Sequence, residues 1–498
     1  MKVIVIGSGF GGLTAAIRLQ AKGFDVEIVE KRDKPGGRAY VYEQDGFVFD
    51  GGPTIITAPW LIHDLFELCG KKTDDYVKLV PIDPFYNVRF QDGSVFRYNG
   101  KREDVLEQIR TFEPKDVAGY ESFYKKTESI FTTGFDLIDQ PFTYFADMLK
   151  VLPDLIRLRS DRSVAGFVNR HIKDPRLRQV FSFHPLLVGG NPFQTTSIYA
   201  LIHKLEQEWG VWFAMGGTGA LVKALVQLFT DIGGTIRYET EVQEIQIASS
   251  PSGKPRARGI TLMDGEELSA DIVVSNGDVA QTYLSLVPAR YRRHNTDKHI
   301  TSMRYSMSLF VIYFGTDIQY PDMAHHEILM GPRYKELVED IFTKKHLADD
   351  FSLYLHRPTA TDPSLAPAGC DSWYVLSPVP HLGSDTDWTA MQKVYRDRIM
   401  NELERRYMPD LQKHIVTEHI IDPVHFRDTL NSHLGSAFSV EPILTQSAWW
   451  RPHNKSEDID ALYFVGAGTH PGAGLPGVMS SGTIASRMIA RDAVEKVQ

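Results

Sequence analysis

The chain opens on an unbroken apolar run, Val3-Ile4-Val5-Ile6. Runs of this kind form strands covered on both faces, as in parallel sheets. Leu13–Lys22 then carries good helix formers and stops at Gly23, and Asp25–Glu30 returns to strand with Val26, Ile28 and Val29. The same alternation recurs farther on. Leu221, Leu225, Leu228, Phe229 and Ile232 mark one helix face, closed by Gly233-Gly234. Thr235–Ile247 alternates and predicts a strand, and Asp271–Asn276 predicts another. Leu462–Val465 predicts a last strand, followed by a helix over Met479–Ala490. Asp92-Gly93 and Asp264-Gly265 sit between alternating stretches and predict hairpins. Residues 105–209 have helical periodicity and include a very apolar segment, Phe142–Leu152, followed by Arg157, Arg159 and Arg162.

These elements predict an α/β protein. Its centre is a Rossmann-type nucleotide-binding domain, discontinuous in sequence, spanning 1–80, 210–290 and 440–498. An α+β substrate domain is expected over 81–104 and 291–439, and a helical, membrane-facing lid over 105–209. At 498 residues, more than one packed unit is expected.

The first strand runs into Gly7-Ser8-Gly9-Phe10-Gly11-Gly12. Gly7 permits the tight turn, Gly9 lets a pyrophosphate approach the backbone, and Gly12 lets the helix pack closely. Free N–H groups and the positive helix end then hold the pyrophosphate. Glu30, ending the second strand, is placed to accept hydrogen bonds from ribose hydroxyls. The hexamer alone also occurs in plain strand–turn–helix units; strand, glycines, helix and acid in register make the nucleotide reading specific. Gly36-Gly37-Arg38 follows, with Arg38 expected against the diphosphate or near a flavin, although an arginine in such a turn also suits solvent. Phe49–Thr54 brings more glycine backbone, and Val242 falls where a strand lends backbone groups to an adenine. A second strand–glycine loop–helix passage, Gly466–Val478, closes the chain. Two such passages make FAD the expected cofactor.

Composition narrows the alternatives. The net charge of −9 gives no electrostatic case for nucleic acid. Two cysteines without CxxC spacing, and histidines without an HExxH pattern, point to no metal site. The first strand starts at Lys2, so no signal peptide is expected, and no apolar run approaches the ~18 residues of a membrane span. Phe142–Leu152 has two readings: a core helix with a solvated basic end, or an apolar surface that dips into a bilayer beside basic residues.

The paired glycine motifs, with the blocks Phe181–Phe193, Glu208–Phe213, Gly435–Pro442 and the closing loop, resemble the bacterial- and fungal-type phytoene desaturases across essentially the whole chain. The resemblance implies FAD held by Gly7, Gly9, Gly12, Glu30, Arg38, Val242, Gly466, Gly468, Gly477 and Val478. It implies a peripheral enzyme on the cytoplasmic face of the cell membrane that desaturates bilayer-dissolved 15-cis-phytoene stepwise, through zeta-carotene and neurosporene, to all-trans lycopene. Oxygen or a quinone would accept the electrons. Hydride loss from an allylic C–H needs no metal or triad, only an apolar channel that sets the carbon at the flavin. No catalytic base is assigned; Asp147 and Lys150 read as a solvated helix face or as proton handlers. Other readings are a C30 desaturase or carotenoid isomerase, an amine oxidase with an aromatic cage, and a non-catalytic lipid-binding relative.

Overall fold

The computed structural model describes residues 1–249 and 253–495. A parallel sheet is built from β1 (Lys2–Ile6), β2 (Asp25–Val29), β3 (Thr235–Arg237), β4 (Ile272–Ser275) and β5 (Leu462–Phe464). Its strand order is β5-β4-β1-β2-β3, so the N-terminal strand is central and the C-terminal strand β5 closes one edge, with β4 between them. Val3, Ile4 and Val5 are fully buried, as an uninterrupted apolar strand requires. Three helices pack on this sheet: α1 (Phe10–Gln20), α2 (Gly217–Asp231) and α3 (Leu475–Glu495). α1 and α3 touch through Gly482, where a Cβ would stand 2.7 Å from Gly11 O.

Thr235–Ile247 is two strands rather than one. β3 joins the parallel sheet, while Val242–Ala248 joins a separate antiparallel sheet with Arg256–Leu262 and Glu267–Ser269. The break falls at Glu239, whose φ is +51°, and Thr240 N–H donates to Glu30 O across it. The Asp264-Gly265 hairpin lies in this small sheet.

A seven-stranded sheet forms the second layer. Its order is Ile415–Ile421, Ser308–Thr316, Asp371–Val379, Leu353–His356, His326–Leu329, Tyr86–Arg89 and Val95–Tyr98. Ser308–Thr316 is buried along its whole length and accounts for the most apolar run in the chain. The Asp92-Gly93 hairpin joins the last two strands. Residues 102–209 are mainly helical and seat Phe181 against Phe96 of that edge strand, with Tyr120 and Phe123 packed on Phe181.

Candidate active site

The turn after β1 is drawn tight by paired backbones. Gly7 N–H donates to Val29 O at 2.8 Å, and Gly7 has φ +93°, a conformation open to glycine. A Cβ on Gly12 would lie 2.3 Å from Gly7 O, and one on Gly9 would lie 2.7 Å from Asn276 Nδ2. On Gly11, a Cβ would lie 2.9 Å from Gly466 N. The first glycine passage, the end of β4 and the closing loop therefore press on one another, and side chains are excluded from their junction. α1 begins here with Gly9 as its N-cap, and neither a side-chain cap nor an acidic residue occupies its first turn. Its leading N–H groups and positive end are left for a ligand anion.

The closing loop is held from behind. Gly466 N–H donates to Ser481 Oγ at 2.8 Å. The fully buried Arg451 guanidinium donates to Ala467 O at 2.7 Å and Thr469 O at 3.0 Å. Gly468 is wedged against Val279 and Ser439, and Gly477, in the first turn of α3, against Gly472 O.

Glu30 is buried at the end of β2. Its Oε2 accepts from Ser8 N–H and Ser8 Oγ, and its Oε1 from Arg32 N–H. Arg38 donates to Ser432 Oγ at 2.9 Å, while its Nε is buried with no hydrogen-bond partner. Burial pulls the guanidinium down from its ordinary value, opposed by the Asp278 carboxylate.

These parts border one cavity of about 530 Å³. At one end it is walled by Gly9, Phe10, Gly36–Ala39, Asn276–Asp278, Gly466–Gly468 and Ala473–Val478. Beyond, the wall turns apolar, with Leu186, Leu187, Leu201, Leu205, Met307, Leu309, Ile328 and Met330. Of the residues expected at a cofactor, Gly9, Arg38, Gly466, Gly468, Gly477 and Val478 line it. Gly7, Gly12 and Glu30 do not line it: Gly7 and Gly12 support the turn from behind, and Glu30 holds Ser8, next to Gly9. Val242 does not line the cavity; its side chain packs with Ile4 and Val29 behind β2.

The helix Phe145–Arg157 divides this space from the outside. Met148 and Leu155 line the cavity, whereas Tyr144, Phe145, Leu149, Leu152 and Ile156 are 68, 50, 54, 41 and 64% exposed. The core-helix reading of this segment is thus not what forms: one apolar stripe faces in and another faces out. Phe142 is buried against His470. Asp147 accepts from Tyr144 N–H and pairs with Lys150 at 3.0 Å on the exterior, an N-terminal cap away from the cavity.

Sequence spacing did not reveal two buried polar groups beside the cavity. Glu206 accepts from Tyr86 Oη at 2.6 Å and approaches His184 Nε2 at 3.1 Å. His325, His326 and His356 each bring a nitrogen within 4.8 Å of the other two. They meet because the strand ending at His356 pairs antiparallel with the strand starting at His326, an arrangement without a local signal. Burial drives all three imidazoles well down, His325 to about 3, where Arg357 adds to the effect.

The model for flavin containing amine oxidoreductases matches residues 10–490. The chain is 50% identical to the phytoene desaturase (lycopene-forming) of Pseudescherichia vulneris, covering 99% of each chain. It belongs to the carotenoid desaturases of the flavin-containing amine oxidoreductase family. The desaturase is also 45% identical to the phytoene desaturase (neurosporene-forming) of Rhodobacter capsulatus, over 98% of this chain and 94% of that one. Among solved structures, an oxidoreductase from Methanosarcina mazei shares its fold, with a TM-score of 0.66 at 17% identity over 99% of this chain and 100% of that one. The desaturase is an FAD-dependent oxidoreductase acting on CH–CH groups. The junction fits that cofactor: a glycine cradle that a Cβ would fill, an uncapped helix N-terminus, and an orphaned buried Arg38 Nε.

Proposed function

We propose that this desaturase converts 15-cis-phytoene, drawn from a lipid bilayer, through zeta-carotene and neurosporene to all-trans lycopene, with oxygen or a quinone as terminal electron acceptor. The observation that carries the reading is the single cavity in which the glycine cradle opens directly onto an apolar chamber. Bound FAD supplies a hydride acceptor for an allylic C–H. Gly9 and the α1 N-terminus would hold the pyrophosphate, with Gly7 and Gly12 supporting the turn from behind. Glu30 would serve the ribose and the Val242 backbone the adenine, while Arg38, Gly466, Gly468, Gly477 and Val478 would border the rest. Met307, Leu309 and Met330 exclude water and let the polyene slide so that successive bonds are presented.

The exposed stripe of the helix Phe145–Arg157 is the proposed contact with the cytoplasmic face of the membrane. Among the described residues, no helix is long and apolar enough to cross one. Arg157 and Arg159 are paired with Asp154 and Asp161, so apolar insertion rather than free basic charge is the stronger attraction.

The test is purified protein with FAD and phytoene-loaded liposomes, followed by absorbance as conjugation lengthens. Lycopene bands support the reading, and bands that stop at neurosporene revise the number of steps. Flavin reduction by an amine without any polyene bands overturns it.

A further inference from the structure

Each desaturation leaves a proton to be removed from an apolar chamber, and a line of polar side chains leads away from its wall, hydrogen-bonded as far as His326 and continued by two further histidines that each bring a nitrogen within 4.8 Å. Tyr374 Oη lies 2.7 Å from Thr54 Oγ1, which lies 3.1 Å from Tyr354 Oη, and all three residues line the cavity. Thr54 directly follows Gly51, Gly52 and Pro53, which line the same cavity. Tyr354 Oη continues to His326 Nδ1 at 2.7 Å. His326 is fully enclosed, and its Nε2 has no hydrogen-bond partner. Behind it, His325 Nε2 and His356 Nε2 are 3.1 Å apart, and His325 Nδ1 lies 2.6 Å from Thr361 Oγ1. Thr361 is half-buried, next to exposed Ala360.

We propose that Tyr354 accepts the proton lost in each desaturation and that His326, His356 and His325 relay it to Thr361 and solvent. This rests on the desaturase reading above. Hydride loss to FAD leaves a positive charge spread over the neighbouring double bonds. The adjacent C–H then breaks, and its electron pair becomes the new C=C. The proton goes to Tyr354 Oη as the tyrosine's own proton passes to His326 Nδ1. The orphaned Nε2 is the position from which His326 hands a proton on, so the ring returns to neutral.

Two physical points favour this line. A carbon next to a delocalised carbocation is a far stronger acid than any imidazolium, so an enclosed imidazole of low basicity still takes its proton downhill. An imidazole that holds a proton weakly also releases it promptly, which a relay used several times per substrate needs. Arg357, the cation that acts on His325, is bound to Asp371 at 2.9 Å and offers no acceptor. Glu206, a buried carboxylate that lines the cavity, is spent on Tyr86 and His184.

The test compares wild type with Tyr354→Phe and His326→Gln, FAD-loaded, in single turnover on phytoene liposomes. The substrate carries deuterium at the carbons that lose the proton. Tyr354→Phe keeps the ring and removes only the hydroxyl. We expect polyene formation to slow roughly a hundredfold and the isotope effect to rise, because proton loss becomes limiting. FAD content and phytoene retention should stay at wild-type values in both variants. Unchanged rates and isotope effects overturn the relay. A rate loss that only tracks lost FAD or lost phytoene retention also overturns it, since the hydroxyl is then structural. If Tyr354→Phe does not fold, His326→Gln carries the same comparison. Wild type that forms no polyene sinks the desaturase reading itself, a distinct result.

Discussion

Ser8 and Glu30 are locked together: one carboxylate oxygen accepts both the backbone N–H of Ser8, at 2.9 Å, and its hydroxyl, at 2.6 Å. The acid at the tip of β2 is thereby fixed over the glycine turn before any ligand arrives.

Glu30→Ala should therefore weaken FAD more than loss of a ribose contact alone, because Ser8 and Arg32 N–H lose their acceptor. An affinity loss of about tenfold to a hundredfold is expected, or ~1.4–2.8 kcal/mol. Fluorescence titration of the apoprotein with FAD measures it. Ser8→Ala should fall between wild type and Glu30→Ala. A Glu30→Ala protein with wild-type affinity would remove the acid from the site.

Two glycines should behave oppositely to what their φ values suggest. Gly12→Ala meets Gly7 O at 2.3 Å and should abolish FAD retention and lower the melting temperature sharply. Gly23→Ala, at φ +84° with nothing within 4 Å, should cost only about 1 kcal/mol of backbone strain and leave FAD bound. Calorimetry with the absorbance of retained flavin distinguishes the two.

On the helix Phe145–Arg157, a double change Leu149→Ser and Ile156→Ser should reduce liposome flotation about a hundredfold or more, from the ~1.5–3 kcal/mol each apolar side chain gains on burial. FAD content should not change, because both side chains point outward. Phe142→Ser should instead destabilise the protein without a specific flotation defect, since Phe142 packs inward on His470. Undiminished flotation of the double variant would remove this helix as the membrane contact.

Glu441 sets a pH dependence. Burial pushes its carboxyl up to about 7, against the pull of Arg304 at 2.9 Å. An acid raised in the fold favours folding while protonated, so its contribution is complete below about pH 4.5 and is lost as pH rises through 7. The loss is on the order of 3 kcal/mol, at ~1.4 kcal/mol per tenfold in proton affinity. Melting temperature should fall from pH 5 to pH 8 in wild type, and less so in Glu441→Gln. Parallel curves for the two would refute the assignment.

The glycine turn, its helix and the acid at Glu30 were legible because each rests on local chemistry: a tight turn, a close approach, a strand end. The Asp-Gly hairpins were legible for the same reason. Thr235–Ile247 was misread because alternation is identical in one strand and in two consecutive ones; only the reversal at Glu239 separates them. In Phe142–Leu152 a continuous apolar run hid its phase, so Phe142 looked equivalent to Phe145 although they face opposite ways. The histidine cluster was illegible because His325 and His356 lie 31 positions apart and meet through sheet register.

The position of β5 in the sheet has a consequence for biosynthesis. Translation delivers β1, α1 and β2 first, yet the outer edge of β4 stays open, and Gly11 lacks its neighbour Gly466, until Leu462–Gly466 has left the ribosome. Until then the nascent chain presents an unpaired, largely apolar strand edge, the kind of surface that recruits chaperones or misassembles. Completion of the cofactor cradle therefore waits on β5 and the Gly466 loop, and a chain broken off before them is left with an exposed edge and half a cradle.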